Sequence, residues 1–181
     1  PPEAPPERTP VLVVVRVHRD QVTLRLDTSG AHLHRRGYRT HVGPAPLRET
    51  LAAALLLVRD APDGEGNTPP ASARALLDPF CGAGTLPIEA ALLARRIPPG
   101  MASPGHHPRD YAFLHWPDAP LALFRSETTL AASRILPAAP APILGSDRDA
   151  TVVRAARENA LRAGVADDIR FAVSPFSSAP L

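Results

Sequence analysis

A glycine-rich segment between a predicted strand and a predicted helix is the part of this chain best suited to bind a ligand. It reads Leu77-Asp78-Pro79-Phe80-Cys81-Gly82-Ala83-Gly84-Thr85. Gly82 and Gly84 let the backbone turn tightly and approach a ligand without an intervening Cβ. The free N–H groups at the start of the following helix favour a partly negative ligand group, and Thr85 is predicted to cap that helix.

This segment differs from the turn of a dinucleotide-binding protein. Such turns carry three glycines in the pattern G-x-G-x-x-G, and the third position here is Pro87. Proline is tolerated in the first turn of a helix. The pattern therefore favours a smaller, zwitterionic ligand, and a nicotinamide dehydrogenase is the less favoured alternative.

A second carboxylate, Asp147, follows a second predicted strand and stands in the string Gly145-Ser146-Asp147. An acid at such a strand end can accept hydrogen bonds from both hydroxyls of a ribose. The usual interval from the glycine-rich turn is roughly 20 residues. The interval here is far longer, because a proline-rich stretch and an extra helix intervene. The spacing alone counts against the assignment, whereas the position at a strand end supports it.

The elements that must position these carboxylates alternate along the chain. Strands are predicted at 11–17, 22–26, 73–78, 143–147 and 169–173, and helices at 47–58, 86–97, 121–136 and 151–163. After the first two strands, which form a β-hairpin, the alternation predicts an α/β fold with a Rossmann-like parallel sheet, here its N-terminal half. Ligands of such sheets bind at the carboxyl ends of the strands, where both aspartates would lie.

Composition divides the chain into three parts. Residues 1–10 are a proline-rich lead-in, residues 11–72 are a connector made of the hairpin, a basic loop and a helix, and residues 73–181 are the partial ligand-binding domain. A single cysteine excludes an intrachain disulfide. No apolar run is long enough to span a bilayer and no signal segment opens the chain, so we expect a cytoplasmic protein with no membrane partner. The histidines lack metal-ligand spacing, so no metal site is predicted.

These motifs together resemble the large-subunit ribosomal RNA guanine-N2 methyltransferases. The resemblance rests on Asp78 to Thr85 with Pro87-Ile88-Glu89-Ala90-Ala91, and on the other matching strings Leu26-Asp27-Thr28-Ser29-Gly30, Leu33-His34-Arg35-Arg36-Gly37-Tyr38-Arg39, Ala45-Pro46-Leu47-Arg48-Glu49, Ala94 to Gly100, Phe113 to Pro117, Gly145 to Ala150, Ala156 to Ala160 and Ala163-Gly164-Val165. A long insertion before the ribose acid is itself a feature of that family, which removes the spacing objection.

The resemblance implies S-adenosyl-L-methionine as cofactor and ribosomal RNA as substrate. It implies that Asp78, Gly82 and Gly84 hold the methionine part of the cofactor and that Asp147 holds the ribose. The remaining cofactor-binding residues expected from the matching strings are Pro79, Phe80, Cys81, Thr85, Glu89 and Arg148. It also implies an RNA-binding domain of the THUMP type upstream, and in-line methyl transfer to the exocyclic amine of a guanine.

Two of these residues also have simpler explanations. Cys81 can be a small residue that fills the turn, since no paired base is evident for covalent catalysis. Glu89 lies near the start of its helix, where a favourable interaction with the helix dipole explains an acid as well as ligand contact does. Asn159, which is not among the expected ligands, is predicted to be structural.

The basic loop is a candidate RNA-binding segment. Arg35, Arg36 and Arg39 suit phosphate contacts, and Tyr38 could offer a face on which a base stacks. The plain alternative is a solvated basic loop. The formal net charge of +2 is too small to indicate a nucleic-acid partner by itself.

The chain departs from the family pattern in two places. The family has an acidic residue after the third strand, near the adenine, whereas this chain reads Phe171-Ala172-Val173-Ser174-Pro175-Phe176. The family's catalytic Asn-Pro-Pro-Tyr motif does not occur before Leu181, so no catalytic residue can be assigned. We therefore expect an incomplete chain that needs a C-terminal catalytic segment. The alternatives are a catalytically inactive cofactor-binding module and a DNA amino-methyltransferase, which lacks the upstream Arg-Gly-Tyr-Arg segment.

Overall fold

The computed structural model describes residues 11–40, 47–59, 74–101 and 109–178. The hairpin consists of β1 (Val13–His18) and β2 (Gln21–Leu26), which pair antiparallel with Val17 opposite Val22. Arg19 and Asp20 join them with φ values of 48° and 61°. Positive φ at both central residues is what a tight hairpin turn requires. The predicted hairpin is confirmed, and all of its strand residues are exposed.

A helix of the connector packs on the α/β part of the molecule. This helix, α1 (Glu49–Arg59), begins two residues later than predicted and buries Ala52 and Leu56. It lies against α2 (Thr85–Ala94), which follows the glycine-rich turn. The predicted domain boundary at 72/73 lies outside the described residues and stays a prediction.

The α/β part alternates strands and helices as predicted. Its further elements are β3 (Leu76–Asp78), α3 (Leu121–Ser133), β4 (Ile143–Asp147), α4 (Ala150–Ala163) and β5 (Ile169–Val173). The strands form a parallel sheet in the order β3-β4-β5, with Asp78 opposite Gly145. The Rossmann-like α/β fold class is confirmed.

The core forms between this sheet and the helices on it. Ile88 of α2, Val153 of α4 and Ile143 of β4 are buried, together with Val165 and Ile169. Burial of such branched apolar side chains is the main favourable contribution to folding. The core therefore fixes α2 and α4 on the sheet, and with them the loops at the carboxyl ends of the strands.

Two helix ends show how the sequence sets these bounds. Gly164 closes α4 with φ 73°, as predicted, because glycine adopts the left-handed conformation without a steric penalty. The helix α3 ends at Ser133 and not at residue 136 as predicted, and the backbone N–H of Arg134 caps it. Among the described residues, no helix is long and apolar enough to cross a membrane.

Candidate functional site

The glycine-rich turn folds into a tight loop at the carboxyl end of β3. The backbone N–H of Phe80 donates to Oδ1 of Asp78 at 3.1 Å, and the N–H of Gly84 donates to the carbonyl of Cys81 at 2.8 Å. The N–H of Cys81 donates to the carbonyl of Ser146 in β4 at 2.9 Å. The loop is therefore anchored to both strands that carry the predicted acids.

The two glycines of the loop have different surroundings. A Cβ on Gly84 would lie 2.9 Å from the Cβ of Ala156 and 3.3 Å from the ring of Phe171, so this glycine allows α4 to pack closely. A Cβ on Gly82 would meet nothing within 4 Å. Both residues have positive φ, 86° and 52° respectively. The backbone at Gly82 thus borders open space, where a ligand can approach it.

Asp147 lies beside this open stretch of backbone. Its Oδ2 accepts a hydrogen bond from the N–H of Gly82 at 3.1 Å, and its Oδ1 accepts one from the N–H of Asp149 at 3.1 Å. The Asp149 carboxylate in turn caps α4 by accepting from the N–H of Thr151 at 2.7 Å. One hydrogen bond therefore joins Gly82 to Asp147, which are 65 positions apart in the sequence.

A cavity of about 600 Å³ adjoins Asp147. This volume is within the usual range of small-molecule sites. Four of the predicted cofactor residues line it, namely Pro79, Phe80, Asp147 and Arg148, and so do Pro175, Phe176 and Ser177. The rings of Phe80 and Phe176, 71% and 64% exposed, stack with centroids 5.3 Å apart. The other predicted cofactor residues do not line this cavity.

Burial shifts the titration of two groups in the loop. Burial raises the pKa of Asp78, the N–H of Phe80 partly offsets that shift, and the charge of Asp147 raises it further. Burial, with the charges of Asp78 and Asp147, raises the pKa of the Cys81 thiol to about 12. Cys81 is buried and its Sγ contacts the carbonyl of Gly82, so the thiol fills the turn as a neutral group.

Glu89 is buried in a cluster with two residues of the basic loop. One carboxylate oxygen accepts from the hydroxyl of Tyr38 at 3.0 Å, and the other pairs with Nη2 of Arg36 at 3.3 Å. Burial raises the pKa of Glu89, and Arg36 and Tyr38 lower it. Glu89 therefore joins the connector to α2, and its predicted contact with a cofactor stays a prediction.

Three of the predicted RNA-binding residues are also held inside the protein. The Tyr38 ring is 4% exposed, which leaves no face on which a base can stack. The Arg36 and Arg39 side chains are 12% and 10% exposed. Only Arg35 among the four is exposed. The loop was predicted as a surface segment because its charges are visible in the sequence and their buried partners are not.

Arg39 also explains why the predicted cap at Thr85 is wrong. Thr85 is the first residue of α2 and Gly84 occupies the capping position, with no side-chain cap. The Thr85 hydroxyl instead accepts from Nη2 of Arg39 at 2.7 Å, and Arg39 pairs with Glu49 of α1 at 3.5 Å. Arg39 thus links the connector to the first turn of the helix after the loop.

Several residues that support the site were not predicted as site residues. Nδ2 of Asn159 donates to the carbonyl of Ala83 at 3.0 Å, and its Oδ1 accepts from the N–H of Thr40 at 3.3 Å, in agreement with a structural role. The ring of Phe171 packs closely on Gly145, and a Cβ on that glycine would lie only 2.9 Å from the ring. Phe176 lines the cavity. Its aromatic type after Pro175 is the signal that the sequence carries for this role.

The fold and this site together define a Rossmann-like methyltransferase domain. Residues 36–178 match the family described as RMKL-like, methyltransferase domain, and the chain belongs to that family. The resemblance seen in the sequence is thereby confirmed. Among the described residues, no group of three or more potential metal ligands is clustered.

Curated relatives share this part of the protein. The chain is 41% identical over 169 residues to "Ribosomal RNA large subunit methyltransferase K/L" of Vibrio parahaemolyticus, which covers 92% of this chain and 22% of that protein. It is 44% identical over 163 residues to the protein of the same name from Methylococcus capsulatus, covering 88% and 20%. The chain therefore spans about a fifth of the length of these relatives.

Solved structures show the same fold. SMU.472, described as a candidate methyltransferase and crystallised with SAH, has a TM-score of 0.78 at 31% identity and covers 94% of this chain and 41% of its own. A predicted N6-adenine-specific DNA methylase from Listeria monocytogenes has a TM-score of 0.76 at 36% identity, covering 93% and 40%. Both similarities extend over nearly the whole of this chain.

Proposed function

We propose that the protein transfers a methyl group from S-adenosyl-L-methionine to the exocyclic amine of a guanine in ribosomal RNA. This chain supplies the part that binds the cofactor. The observation that carries the proposal is the open backbone at Gly82 beside Asp147, at the carboxyl ends of two parallel strands. Membership of a methyltransferase family and the names of the rRNA-modifying relatives support the reaction and the substrate.

The residues at the site fit an adenosyl ligand chemically. A carboxylate offers about four acceptor positions, and Asp147 uses two of them for the N–H groups of Gly82 and Asp149. It therefore retains acceptor capacity for ribose hydroxyls. Asp78 uses Oδ1 for the N–H of Phe80, and its carboxylate would pair with the ammonium group of the methionine part.

We assign the adenine to the aromatic side of the cavity. The segment directly after β5, Ser174-Pro175-Phe176, carries no acid, so we turn to other groups for adenine recognition. The exposed rings of Phe80 and Phe176 offer apolar faces suited to a purine. Arg148 lines the same cavity and is exposed.

The cofactor supplies an activated methyl group on a sulfonium. When bound, it would give this methyl group to the guanine amine and leave as S-adenosylhomocysteine, and the amine proton would pass to solvent. The contribution of this chain is to hold the donor in one orientation, which lowers the entropic part of the barrier. We propose that a C-terminal segment and an upstream RNA-binding domain of the whole protein present the guanine, which must leave its stack to reach the donor.

Calorimetry with S-adenosylhomocysteine tests the cofactor assignment. The wild-type chain should bind it and should not bind NAD. Asp147→Asn should weaken binding about tenfold or more, because charged hydrogen bonds contribute about 1.5–3 kcal/mol. The matched control is Asp167→Asn, which removes an exposed carboxylate outside the cavity. Equal affinity of wild type and Asp147→Asn would remove Asp147 from the site.

Transfer of a radioactive methyl group tests the substrate. Ribosomal RNA is expected to accept the label on guanine from the whole protein. The name of the Listeria neighbour raises adenine in DNA as the alternative acceptor, so duplex DNA is the second arm of the assay. Label on DNA and none on RNA would overturn the RNA assignment. Binding of S-adenosylhomocysteine with transfer to neither nucleic acid would favour the cofactor-binding module.

A further inference from the structure

A second cavity, of about 310 Å³, lies on a different part of the molecule. It shares no lining residue with the cavity at Asp147. The basic loop forms one wall, and residues 99–101 and 109–111 form another. Among the described residues, the arginines that line it are Arg35, Arg36, Arg109 and Arg162, and the carboxylate that lines it is Asp110. Arg36 pairs with Glu89 and Arg162 lies 3.9 Å from Glu158, so the excess positive charge of the lining comes from Arg35 and Arg109.

The walls of this arginine pocket are held by specific contacts. The N–H of Arg109 donates to the carbonyl of Gly100 at 2.8 Å. Gly100 has φ 87°, and a Cβ there would lie 2.7 Å from the hydroxyl of Tyr111. The Arg109 guanidinium donates to the carbonyls of Ala31 and Arg35 in the basic loop. The pocket is thus a built feature of the fold.

Two of the arginines leave buried donors without an acceptor. The Nε atoms of Arg36 and Arg109 are buried and make no hydrogen bond to any described residue. A buried N–H without an acceptor is costly, and structures normally provide one. The carboxylate of Asp110 in the lining is occupied, because its Oδ1 accepts from His115 at 2.7 Å. An anionic oxygen ligand in the pocket would balance the positive charge of its lining.

We propose that the arginine pocket binds a phosphate group of the RNA substrate. The inference rests on the proposed function for the identity of the RNA. Arginine is suited to this ligand because its planar fork matches phosphate oxygens. The pocket positions the RNA backbone and carries no information on base sequence. Arg35, which is exposed, and Arg162, which is partly exposed, complete the contacts from the solvent side, and Arg36 and Arg109 lie on the protein side.

The test is the salt dependence of RNA binding by the whole chain, measured by anisotropy with a labelled single-stranded 20-mer RNA. The variant is Arg35→Gln with Arg162→Gln. The matched control is Arg125→Gln with Arg154→Gln, which removes two exposed arginines that do not line the pocket. Each phosphate contact contributes roughly 0.7 to the slope of log affinity against log salt for single strands. For the single phosphate proposed here, the loss of affinity between 50 and 200 mM salt should therefore be about 2.6-fold smaller for the pocket variant than for wild type.

Further measurements distinguish free phosphate from RNA phosphate as the ligand. They also test the arginine pocket separately from the proposed cofactor site. Displacement of the RNA by inorganic phosphate beyond the effect of chloride at equal ionic strength would show that free phosphate also enters the pocket. Equal slopes for the pocket variant and the control would overturn the proposal. Calorimetry with S-adenosylhomocysteine on the same variants should give wild-type affinity. Failure of the wild-type chain to bind S-adenosylhomocysteine would instead count against the proposed function.

Discussion

Replacement of Gly84 by alanine should destabilise the protein strongly. At φ 86° an L-residue is strained by about 1–2 kcal/mol. The new Cβ would also lie 2.9 Å from the Cβ of Ala156, in a contact between a loop and a helix that the core holds in place. Overpacking of this kind costs about 1–3 kcal/mol. Together these effects should lower the free energy of unfolding by about 2–5 kcal/mol.

The matched variant is Gly82→Ala, which has the strain without the clash. A Cβ on Gly82 meets nothing within 4 Å, so its cost should be about 1–2 kcal/mol. Urea unfolding measures both free energies, and calorimetry measures the affinity for S-adenosylhomocysteine. In Gly82→Ala the loss of binding free energy should exceed the loss of unfolding free energy, because the new Cβ enters the open space beside Asp147.

The two variants can refute the reasoning separately. Equal losses of stability would show that the contact with Ala156 and Phe171 does not determine the need for Gly84. Unchanged affinity in Gly82→Ala would show that the ligand does not approach the backbone there. If Gly84→Ala is too unstable to fold, we expect it to be missing from the soluble fraction while Gly82→Ala remains soluble.

Three further variants or reactions test the buried polar groups. Tyr38→Phe should lower the free energy of unfolding by about 1–3 kcal/mol, because the Glu89 carboxylate loses a donor at 3.0 Å. The control is Tyr111→Phe, which loses a more exposed hydrogen bond and should change the free energy of unfolding little. Since the pKa of Asp78 is raised above its ordinary 3.8, its contribution to stability is fully present below that value and is lost as the pH rises through the raised pKa. Asp78→Asn cannot ionise, so at neutral pH it should unfold at a higher urea concentration than wild type. It should also bind S-adenosylhomocysteine more weakly. A lower urea midpoint than that of wild type would contradict the argument. The Cys81 thiol, with a pKa of about 12, should react with iodoacetamide at pH 8 about a hundredfold or more slowly in the native chain than in urea, and equal rates would be the contrary result.

The sequence was sufficient for the elements with strong local signals. The strands β4 (Ile143–Asp147) and β5 (Ile169–Val173) have their predicted bounds, since turn-forming residues flank each of them. The stop of α4 at Gly164 followed from the conformational freedom of glycine. The aspartates at the strand ends were located by the same topology rule that places ligands in such sheets.

The environment of the basic loop could not be predicted in this way. Glu49 and Glu89 lie in two separate helices, and their pairing with Arg39 and Arg36 exists only after those helices pack. A local pattern of arginines predicts a solvated surface whether or not distant carboxylates bury it. The arginine pocket has the same origin, because Arg109 and Arg162 join Arg35 only through the tertiary fold.

The hydrogen bonds that hold Asp147 have a consequence for affinity. Backbone N–H groups fix its carboxylate from two sides, through Gly82 and Asp149. A partner that recruits a freely rotating side chain must immobilise it, at about 0.5–1.5 kcal/mol for each such group. Asp147 is preorganised by the main chain, so most of the attraction it exerts on a hydroxyl group remains available as binding free energy.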